Sequence, residues 1–226
     1  MAQEKADTTQ SSTVLTPTVG ASYRNGWRQM LKYFLELFLI GIIGVIVGLP
    51  SGIGEWAGVG ATVVGIWGFL GLIYIILIVS PTEYGISFAY LKAARNDKLE
   101  IRDMFEAFRN YWNAVLAKLL VGAIVTVGFF LFIIPGIIFA CKLAFTPYLV
   151  VDRRMAVIEA VKESWRMTNG HAWTVFLIGL LAIPISIVGL ICLVVGVIPA
   201  FMWIAAAFAS LYHAVSTTIE KSGYTT

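Results

Sequence analysis

Tyr23-Arg24-Asn25-Gly26-Trp27 and Phe108-Arg109-Asn110-Tyr111-Trp112 are two copies of one short phrase, 85 residues apart, and each precedes a long apolar run. A looser third copy runs from Trp165-Arg166 through Asn169-Gly170 to Trp173, again ahead of an apolar run. Tryptophan and basic side chains favour the boundary between lipid headgroups and hydrocarbon. The repetition therefore predicts pseudo-repeated membrane hairpins, each preceded by an interfacial segment. The predicted interfacial anchors are Arg24, Trp27, Arg109, Trp112, Trp165, Arg166 and Trp173.

The composition is typical of a membrane protein. Of 226 residues, 59% are hydrophobic and 13% are charged, and the mean hydropathy is +0.85. Soluble domains carry about 25% charged and about 45–50% apolar residues, so this chain lacks the composition of a soluble domain. We expect a single integral membrane domain over 21–216. Residues 1–20, rich in Ser, Thr and Gln, are expected to be a disordered tail, and 217–226 a short second tail.

The apolar runs are long enough for six spans, because a helix needs about 20 apolar residues to cross the hydrocarbon core. This predicts an all-α bundle of three hairpins with tips near Pro50, Pro135 and Pro199. The fourth span reaches only about 22 Å of a core about 30 Å thick, so both a full crossing and a re-entrant segment stay open. The predicted spans are 30–49, 60–80, 113–134, 137–151, 172–194 and 198–215.

Basic segments alternate with the predicted hairpin tips along the chain. They precede the first span, separate spans two and three and spans four and five, and follow the sixth, whereas the tips contain no Lys or Arg. Because basic loops mark the cytoplasmic side, both termini are predicted to be cytoplasmic. Apolar residues recur at helical spacing in three of these segments, which predicts interfacial amphipathic helices near 21–30, 99–111 and 154–168.

Three charged residues lie within or beside the predicted spans. Lys118 is close enough to the cytoplasmic headgroups for its side chain to reach them, and Glu36 follows Lys32 by one helical turn. Lys142 lies nearest the middle of a span, where a charge costs about 2.5–3.5 kcal/mol. Two interpretations of Lys142 stay open: a structural tie to Glu36 or to backbone carbonyls, and a site between hairpins for an anion or a lipid headgroup.

Two further stretches resemble motifs of a known group of proteins. Phe132-Ile133-Ile134-Pro135-Gly136-Ile137-Ile138 and Ala160-Val161-Lys162-Glu163-Ser164-Trp165-Arg166-Met167-Thr168-Asn169-Gly170 are similar to segments of a broad group of uncharacterised bacterial polytopic membrane proteins. The group includes the membrane domain of some glycerophosphoryl diester phosphodiesterases, and the resemblance covers about 85–215. It implies a helical domain in the bacterial inner membrane. The phosphodiesterase activity belongs to a separate soluble domain and does not carry over.

The sequence indicates less about the function of the protein than about its architecture. We find no catalytic or metal-binding motif and expect no cofactor. Acidic residues interleave with the basic ones, which favours anionic lipid headgroups over nucleic acid as partners. The leading hypothesis is a non-enzymatic protein that organises lipid or scaffolds a membrane complex, as a homo-oligomer or with a membrane protein partner. The alternative is a transporter or channel for an anionic or amphiphilic solute, based on Lys142, Pro184 and the repeats. An enzyme ranks third, since it needs a polar cluster that assembles only in three dimensions.

Overall fold

The computed structural model describes residues 15–48, 69–191 and 193–223, and every regular element in these ranges is a helix. Two segments depart from α-helical geometry. Ile75–Val79 is a π-helical part of the third helix, and Ile101–Asn110 is a 3₁₀ helix that leads directly into the fourth. In chain order, the helices are α1 (Val19–Lys32), α2 (Phe34–Gly48), α3 (Phe69–Arg95), α4 (Tyr111–Leu131), α5 (Ile133–Lys142), α6 (Thr146–Asp152), α7 (Val157–Met167), α8 (Ala172–Ile191) and α9 (Leu193–Gly223).

Helix length and hydropathy define the candidate membrane spans. The pair formed by α1 and α2 qualifies as one span if its two bent halves are counted together. The prediction of an all-α, multi-pass membrane protein is therefore confirmed, with five to six candidate spans in the described part of the chain. The other five are Phe69–Arg95, Ile101–Leu131, Ile133–Asp152, Ala172–Ile191 and Gly196–Lys221.

The chain turns sharply at Tyr33, where α1 and α2 meet at 94°. α1 begins after Thr18, whose side-chain oxygen accepts a hydrogen bond from the Ala21 amide at 3.4 Å and caps the helix. One face of α1 is buried, and the opposite face exposes Arg24 and Trp27. The prediction that α1 is an interfacial helix stays a prediction.

The second predicted interfacial helix is a 3₁₀ helix packed against α3. Side chains three residues apart eclipse in a 3₁₀ helix, and here this periodicity buries Met104 and Ala107. Its start is fixed by Glu100 and Asp103, because the side chain of each accepts a hydrogen bond from the backbone amide of the other. The contact with α3 is closest at Gly85, where a β-carbon would lie 1.6 Å from the Met104 carbonyl oxygen.

The fourth span is broken but long enough to cross. α5 ends at Lys142 and α6 begins at Thr146, and the whole stretch Ile133–Asp152 has 20 residues. At 1.5 Å per residue it covers about 30 Å, which matches the hydrocarbon core. The predicted limits, 137–151, are too short because Pro135 lies inside the first turn of α5. Proline is accepted there because the first amides of a helix have no intrahelical partner.

The second span also differs from its predicted limits of 60–80. The helix continues through Thr82 and ends only at Arg95, so the first charged residues after the apolar run remain helical. Residues 60–68 and the predicted tip at Pro50 lie outside the described residues. The same holds for 1–14, which were predicted to be most of the disordered tail.

The last hairpin differs from the prediction at Pro199. This residue was predicted to be a turn residue, but it lies inside α9. Proline is tolerated in membrane helices because neighbouring groups can satisfy the freed backbone carbonyl. At its other end α9 continues to Gly223, well into the stretch predicted as a short tail, and residues 224–226 lie outside the described part.

The core forms where α1, α3, α6 and α9 pack together. Its fully buried side chains include Leu91 of α3, Leu149 of α6 and Tyr212 of α9. Large apolar side chains point outward elsewhere, as at Phe130 near the end of α4, which is 91% exposed. In a multi-pass helical protein such faces lie against lipid, so the polar contacts described next concentrate in the core and at one end of the bundle.

Candidate functional site

An ion pair joins the last residues of α3 and α6. The Arg95 guanidinium donates two hydrogen bonds of 2.6 Å to the two carboxylate oxygens of Asp152. Tyr212 of α9 donates a third hydrogen bond, of 3.3 Å, to Asp152 Oδ2. A planar guanidinium matches a carboxylate in this bidentate geometry, so the contact fixes the orientation of the two helices as well as their distance.

Aromatic rings pack beside this ion pair. Tyr148 of α6 stacks on Tyr212 with ring centroids 5.0 Å apart, and Phe145 meets Tyr212 edge-on at 5.5 Å. All three rings are buried. Sequence analysis missed this cluster, which draws on α3, α6 and α9. The signal that would have found it is that Arg95 and Asp152 are charged residues close to the ends of apolar runs.

Further contacts connect the basic segments at this end of the molecule. We call the end that contains Arg95, Asp152 and these contacts the charged end. Lys32 of α1 hydrogen-bonds Asn96, which follows α3. The segments predicted to share one side of the membrane are thus in direct contact through acidic and polar residues. Besides Arg95–Asp152, the ion pairs between segments are Arg153–Glu220 and Arg154–Glu106, each at 2.8 Å, whereas Lys92–Asp103, also at 2.8 Å, lies within one segment.

The first copy of the repeated phrase is largely a buried anchor. Asn25 donates hydrogen bonds to the Ala94 carbonyl at 3.2 Å and to Ser210 Oγ at 3.0 Å. The Tyr23 hydroxyl donates to the Ile178 carbonyl at 2.9 Å. These buried bonds tie α1 to α3, α8 and α9, which interfacial anchoring alone does not require.

Gly26 in the same phrase permits a close approach of α1 to α9. A β-carbon there would lie 2.9 Å from the Ala207 nitrogen and 3.1 Å from the Ala206 carbonyl carbon, both backbone atoms. Arg24 and Trp27, the anchors predicted from this phrase, lie on the opposite, exposed face of α1. The phrase therefore combines a packing surface with an outward polar and aromatic surface.

The second copy makes a related contact. Asn110 donates a hydrogen bond of 3.2 Å to the Val150 carbonyl near the end of α6. The predicted anchor Trp112 is 67% exposed, and the predicted anchor Arg109 forms an exposed ion pair with Glu106 at 3.4 Å. Here too the asparagine faces the protein and the tryptophan faces outward.

Lys142 lies at the break between α5 and α6, in contact with α7. Carbonyls at a helix end lack an intrahelical partner, and the Lys142 carbonyl accepts hydrogen bonds from Ser164 Oγ at 2.9 Å and Thr168 Oγ1 at 3.2 Å. The Lys142 ammonium group donates to Asn169 Oδ1 at 2.5 Å and lies 5.5 Å from the centre of the Trp165 ring. We call Ser164, Trp165, Thr168 and Asn169 the α7 clamp, because they hold both polar groups of Lys142.

The structure gives the three candidate charged residues separate surroundings. No hydrogen bond or ion pair joins the described residues Lys142 and Glu36, because the Lys142 ammonium group is held by the α7 clamp. Lys118 forms an ion pair with Glu83 of α3, a residue that the sequence analysis overlooked. Glu36 is half-buried near the start of α2. The three candidates thus lie in three separate environments, and Lys142 as an anion or headgroup site stays a prediction.

The remaining predicted anchors lie on α7 and at the start of α8. Trp165 is 39% exposed and Trp173 is 69% exposed. Arg166 donates two hydrogen bonds to Glu163, at 2.7 and 2.8 Å, and these bonds lower the pKa of that carboxyl below its ordinary value. Arg166 is therefore an exposed cation whose charge is already matched by an acidic neighbour.

An apolar groove of about 340 Å³ lies between α8 and α9 beside α1. The Trp27 and Trp203 rings meet at one end of it, with centroids 4.9 Å apart. Trp203 Nε1 donates to the Tyr23 carbonyl at 3.0 Å, which fixes this end of the groove beside α1. We call it the tryptophan groove; its lining includes Trp27, Pro184, Val188, Gly189, Pro199 and Trp203.

Comparisons with protein-family models, with curated proteins and with solved structures found no match to this chain. Its class therefore rests on the fold itself, which is that of a multi-pass helical membrane protein. Within that class, its particular features are the charged end, the α7 clamp and the tryptophan groove. The resemblance to a bacterial group stays a prediction.

Proposed function

We propose that this chain is a non-enzymatic integral membrane protein that organises anionic lipid around its charged end. One observation carries the proposal: most acidic side chains at the charged end pair with basic ones, while several cations face outward without an acidic partner. Arg24 and Arg28 of α1 and Lys162 of α7 are exposed, and none of them forms an ion pair within 15–48, 69–191 and 193–223.

These outward cations suit anionic headgroups. A Lys or Arg near a membrane surface attracts anionic lipid by about 1 kcal/mol. Exposed aromatic side chains accompany the cations, as Trp112 and Trp173 do on neighbouring elements. Tryptophan is enriched at headgroup depth, so the two residue types together describe a surface that binds lipid at the interface.

The proposal includes an orientation and a location. We place the charged end and both termini at the cytoplasmic face of the bacterial inner membrane, because cytoplasmic loops carry an excess of Lys and Arg. The contacts Arg154–Glu106 and Arg153–Glu220 support this, since they bring segments from different hairpins and the end of α9 together.

We also propose that the first two hairpins are pseudo-repeats. Asn25 and Asn110 hold the same position in the two copies of the phrase, 85 residues apart. Each donates a hydrogen bond to a backbone carbonyl, Ala94 or Val150, within two residues of a helix end. Equivalent residues that make equivalent contacts support an internal duplication.

The test measures which lipids the purified full chain retains. The protein is reconstituted in vesicles of phosphatidylcholine with a minor share of phosphatidylglycerol, extracted in mild detergent, and its retained lipids are identified by mass spectrometry. We expect enrichment of phosphatidylglycerol over the vesicle composition. Retention in proportion to the vesicle composition would contradict the proposal.

Matched variants distinguish the contribution of unpaired cations to lipid binding from that of paired cations. The triple variant R24Q/R28Q/K162Q removes three unpaired charges, and R102Q/R109Q/R166Q removes three charges that have acidic partners. Both lower the net charge equally. We expect the first to reduce phosphatidylglycerol enrichment clearly more than the second, because paired cations are already neutralised locally. Equal effects would show that only net charge matters.

Transport of an anionic or amphiphilic solute is the second candidate. It is supported by Pro184 and Pro199, which interrupt the backbone hydrogen bonding of α8 and α9 beside the tryptophan groove. Interrupted helices line substrate sites in transporters. Flux of a fluorescent anionic amphiphile into proteoliposomes, lost in Lys142→Ala, would favour transport. Wild-type protein that moves no probe while retaining phosphatidylglycerol would favour lipid organisation.

A further inference from the structure

The tryptophan groove extends from α1 toward the junction of α8 and α9. Its α1 end is fixed by Trp27 and Trp203, and its other end by Gly189 and Gly196. Along α9, the distance from Trp203 to Gly196 is about 10 Å at 1.5 Å per residue. The groove therefore starts beside α1 and runs along two spanning helices to the α8–α9 junction, which lies at the opposite end of these helices from the charged end.

Close backbone packing forms the inner end of the groove. A β-carbon on Gly189 would lie 2.7 Å from the Ala200 β-carbon and 3.0 Å from the Gly196 carbonyl oxygen. On the outer side Val188 is 60% exposed, so the groove is open laterally to the lipid phase. Its shape, length and apolar lining suit part of one hydrocarbon chain that enters from the bilayer.

Two cations neighbour Trp27, the α1 residue that lines this groove. Residues three and four apart share a helix face, so Arg24 and Arg28 lie on the same face as Trp27 and Leu31. All four side chains are exposed. Within 15–48, 69–191 and 193–223, neither guanidinium has an acidic partner. An apolar groove with two unpaired guanidinium groups next to Trp27 is complementary in charge and polarity to an anionic lipid.

We propose that the tryptophan groove and the outer face of α1 form a binding site for a single anionic phospholipid. One acyl chain lies in the groove between α8 and α9, and the phosphate is held by Arg24 and Arg28. Trp27 lies between the two parts, at the level of the ester groups, where tryptophan is favoured. This inference rests on the proposed function and deepens it, because it assigns one specific lipid-binding site on the protein.

Native mass spectrometry of the full chain in detergent tests the site, with dioleoyl phosphatidylglycerol and dioleoyl phosphatidylcholine as the two probes. Val188→Phe fills the groove, and its control Ile187→Phe adds the same side chain at a neighbouring position that is 53% exposed and does not line the groove. R24Q/R28Q removes the proposed phosphate contacts, and R102Q/R166Q removes two exposed cations that have acidic partners.

We expect the wild type to retain one phosphatidylglycerol about tenfold more tightly than phosphatidylcholine. Val188→Phe should weaken retention of both lipids, and Ile187→Phe should weaken neither. R24Q/R28Q should abolish the preference for phosphatidylglycerol, and R102Q/R166Q should keep it. Equal behaviour of each variant and its control overturns the site, while the proposed function stands if phosphatidylglycerol is still enriched overall. A wild type without any headgroup preference overturns both.

Discussion

Arg95 and Asp152 form an ion pair that joins the C-terminal ends of α3 and α6. Each is the last residue of its helix, and the two side chains meet through a pair of 2.6 Å hydrogen bonds. A cation is favourable at a helix C-terminus, whereas an anion there is not. The guanidinium of Arg95 therefore offsets the unfavourable position of Asp152. The contact connects the first two hairpins through a geometry that only these partners satisfy.

We predict that Arg95→Ala destabilises the protein by about 2–3 kcal/mol. This is below the about 3–5 kcal/mol typical of a fully buried pair, because the Arg95 side chain is 27% exposed. The loss leaves the Asp152 carboxylate with Tyr212 as its remaining side-chain partner in the described chain. The measurement is the free energy of unfolding by SDS titration in mixed micelles.

The matched control for that prediction is Arg153→Ala, which removes a neighbouring arginine. Its pair with Glu220 is more exposed, with 33% and 61% of the two side chains accessible, so its loss should cost less than about 1 kcal/mol. Arg95→Lys keeps the charge but not the fork of two donors, and should recover only part of the stability. Similar losses for Arg95→Ala and Arg153→Ala would show that the bidentate geometry contributes nothing.

The span architecture could be predicted because it depends on composition and charge alone. Any run of about 20 apolar residues meets the requirement of the bilayer, so the membrane class follows without knowledge of contacts. The exact first and last residues of each helix depend on tertiary contacts as well as on composition. Pro199 reads as a turn residue in the sequence, yet α9 includes it, because membrane helices tolerate proline when their surroundings satisfy the backbone.

The polar contacts could not be predicted, because their partners are far apart in sequence. Arg95 and Asp152 are 57 positions apart, and Asn25 and Ser210 are 185 apart. Lys142 was recognised as unusual, but its partner Asn169 was assigned to an interfacial phrase. The helix ends at Lys142, which leaves the Lys142 carbonyl without an intrahelical partner. The interruption between α5 and α6 has no sequence signal beyond Pro147.

We predict that Gly85→Ala is severely destabilising. Its β-carbon would lie 1.6 Å from the Met104 carbonyl oxygen, which is a backbone atom and cannot turn aside as a side chain would. Separating α3 from the 3₁₀ helix should cost about 3 kcal/mol or more. The readout is the thermal unfolding midpoint of the detergent-solubilised protein.

Gly122→Ala is the control for Gly85→Ala, since a β-carbon on Gly122 meets no atom within 4 Å. Alanine is a better helix former than glycine, so this variant should be neutral or stabilised by up to about 1 kcal/mol. A Gly85→Ala protein as stable as Gly122→Ala would show that α3 and the 3₁₀ helix are not in close contact.

The α7 clamp yields a further prediction. Ser164→Ala and Thr168→Ala each remove one of the two hydrogen bonds to the Lys142 carbonyl, and the double variant leaves that carbonyl without either. We expect about 1 kcal/mol for Thr168→Ala and more for Ser164→Ala, because Ser164 Oγ also accepts a 3.2 Å hydrogen bond from the buried Phe145 amide. The loss for the double variant should be larger than additive, because one remaining donor still satisfies the Lys142 carbonyl. SDS titration of the four proteins measures the coupling.

The control for the clamp is Thr218→Ala, which removes a threonine hydroxyl that bonds only the Ala214 carbonyl of its own helix. It should change stability by less than about 0.5 kcal/mol, as surface substitutions usually do. Strictly additive effects of Ser164→Ala and Thr168→Ala would contradict a shared role at the Lys142 carbonyl.

The proposed orientation predicts opposite labelling of the two ends of the bundle. In a background without Cys141 and Cys192, we expect Lys98→Cys and Lys162→Cys to react with a membrane-impermeant maleimide only after the inner membrane is permeabilised. Both positions belong to the charged end, and the Lys98 side chain is 88% exposed. Phe132→Cys, between α4 and α5 and 75% exposed, should react from the periplasmic side of intact spheroplasts.

Leu180→Cys is the control for accessibility, because it lies within α8 on an apolar face that is 49% exposed and should meet lipid rather than water. It should react from neither side, since the maleimide requires a hydrated thiolate. Labelling of Lys98→Cys and Lys162→Cys in intact spheroplasts would reverse the orientation. Labelling of the two from opposite sides would contradict the contact Arg154–Glu106, which requires the segments after α3 and after α6 to meet on one side of the membrane.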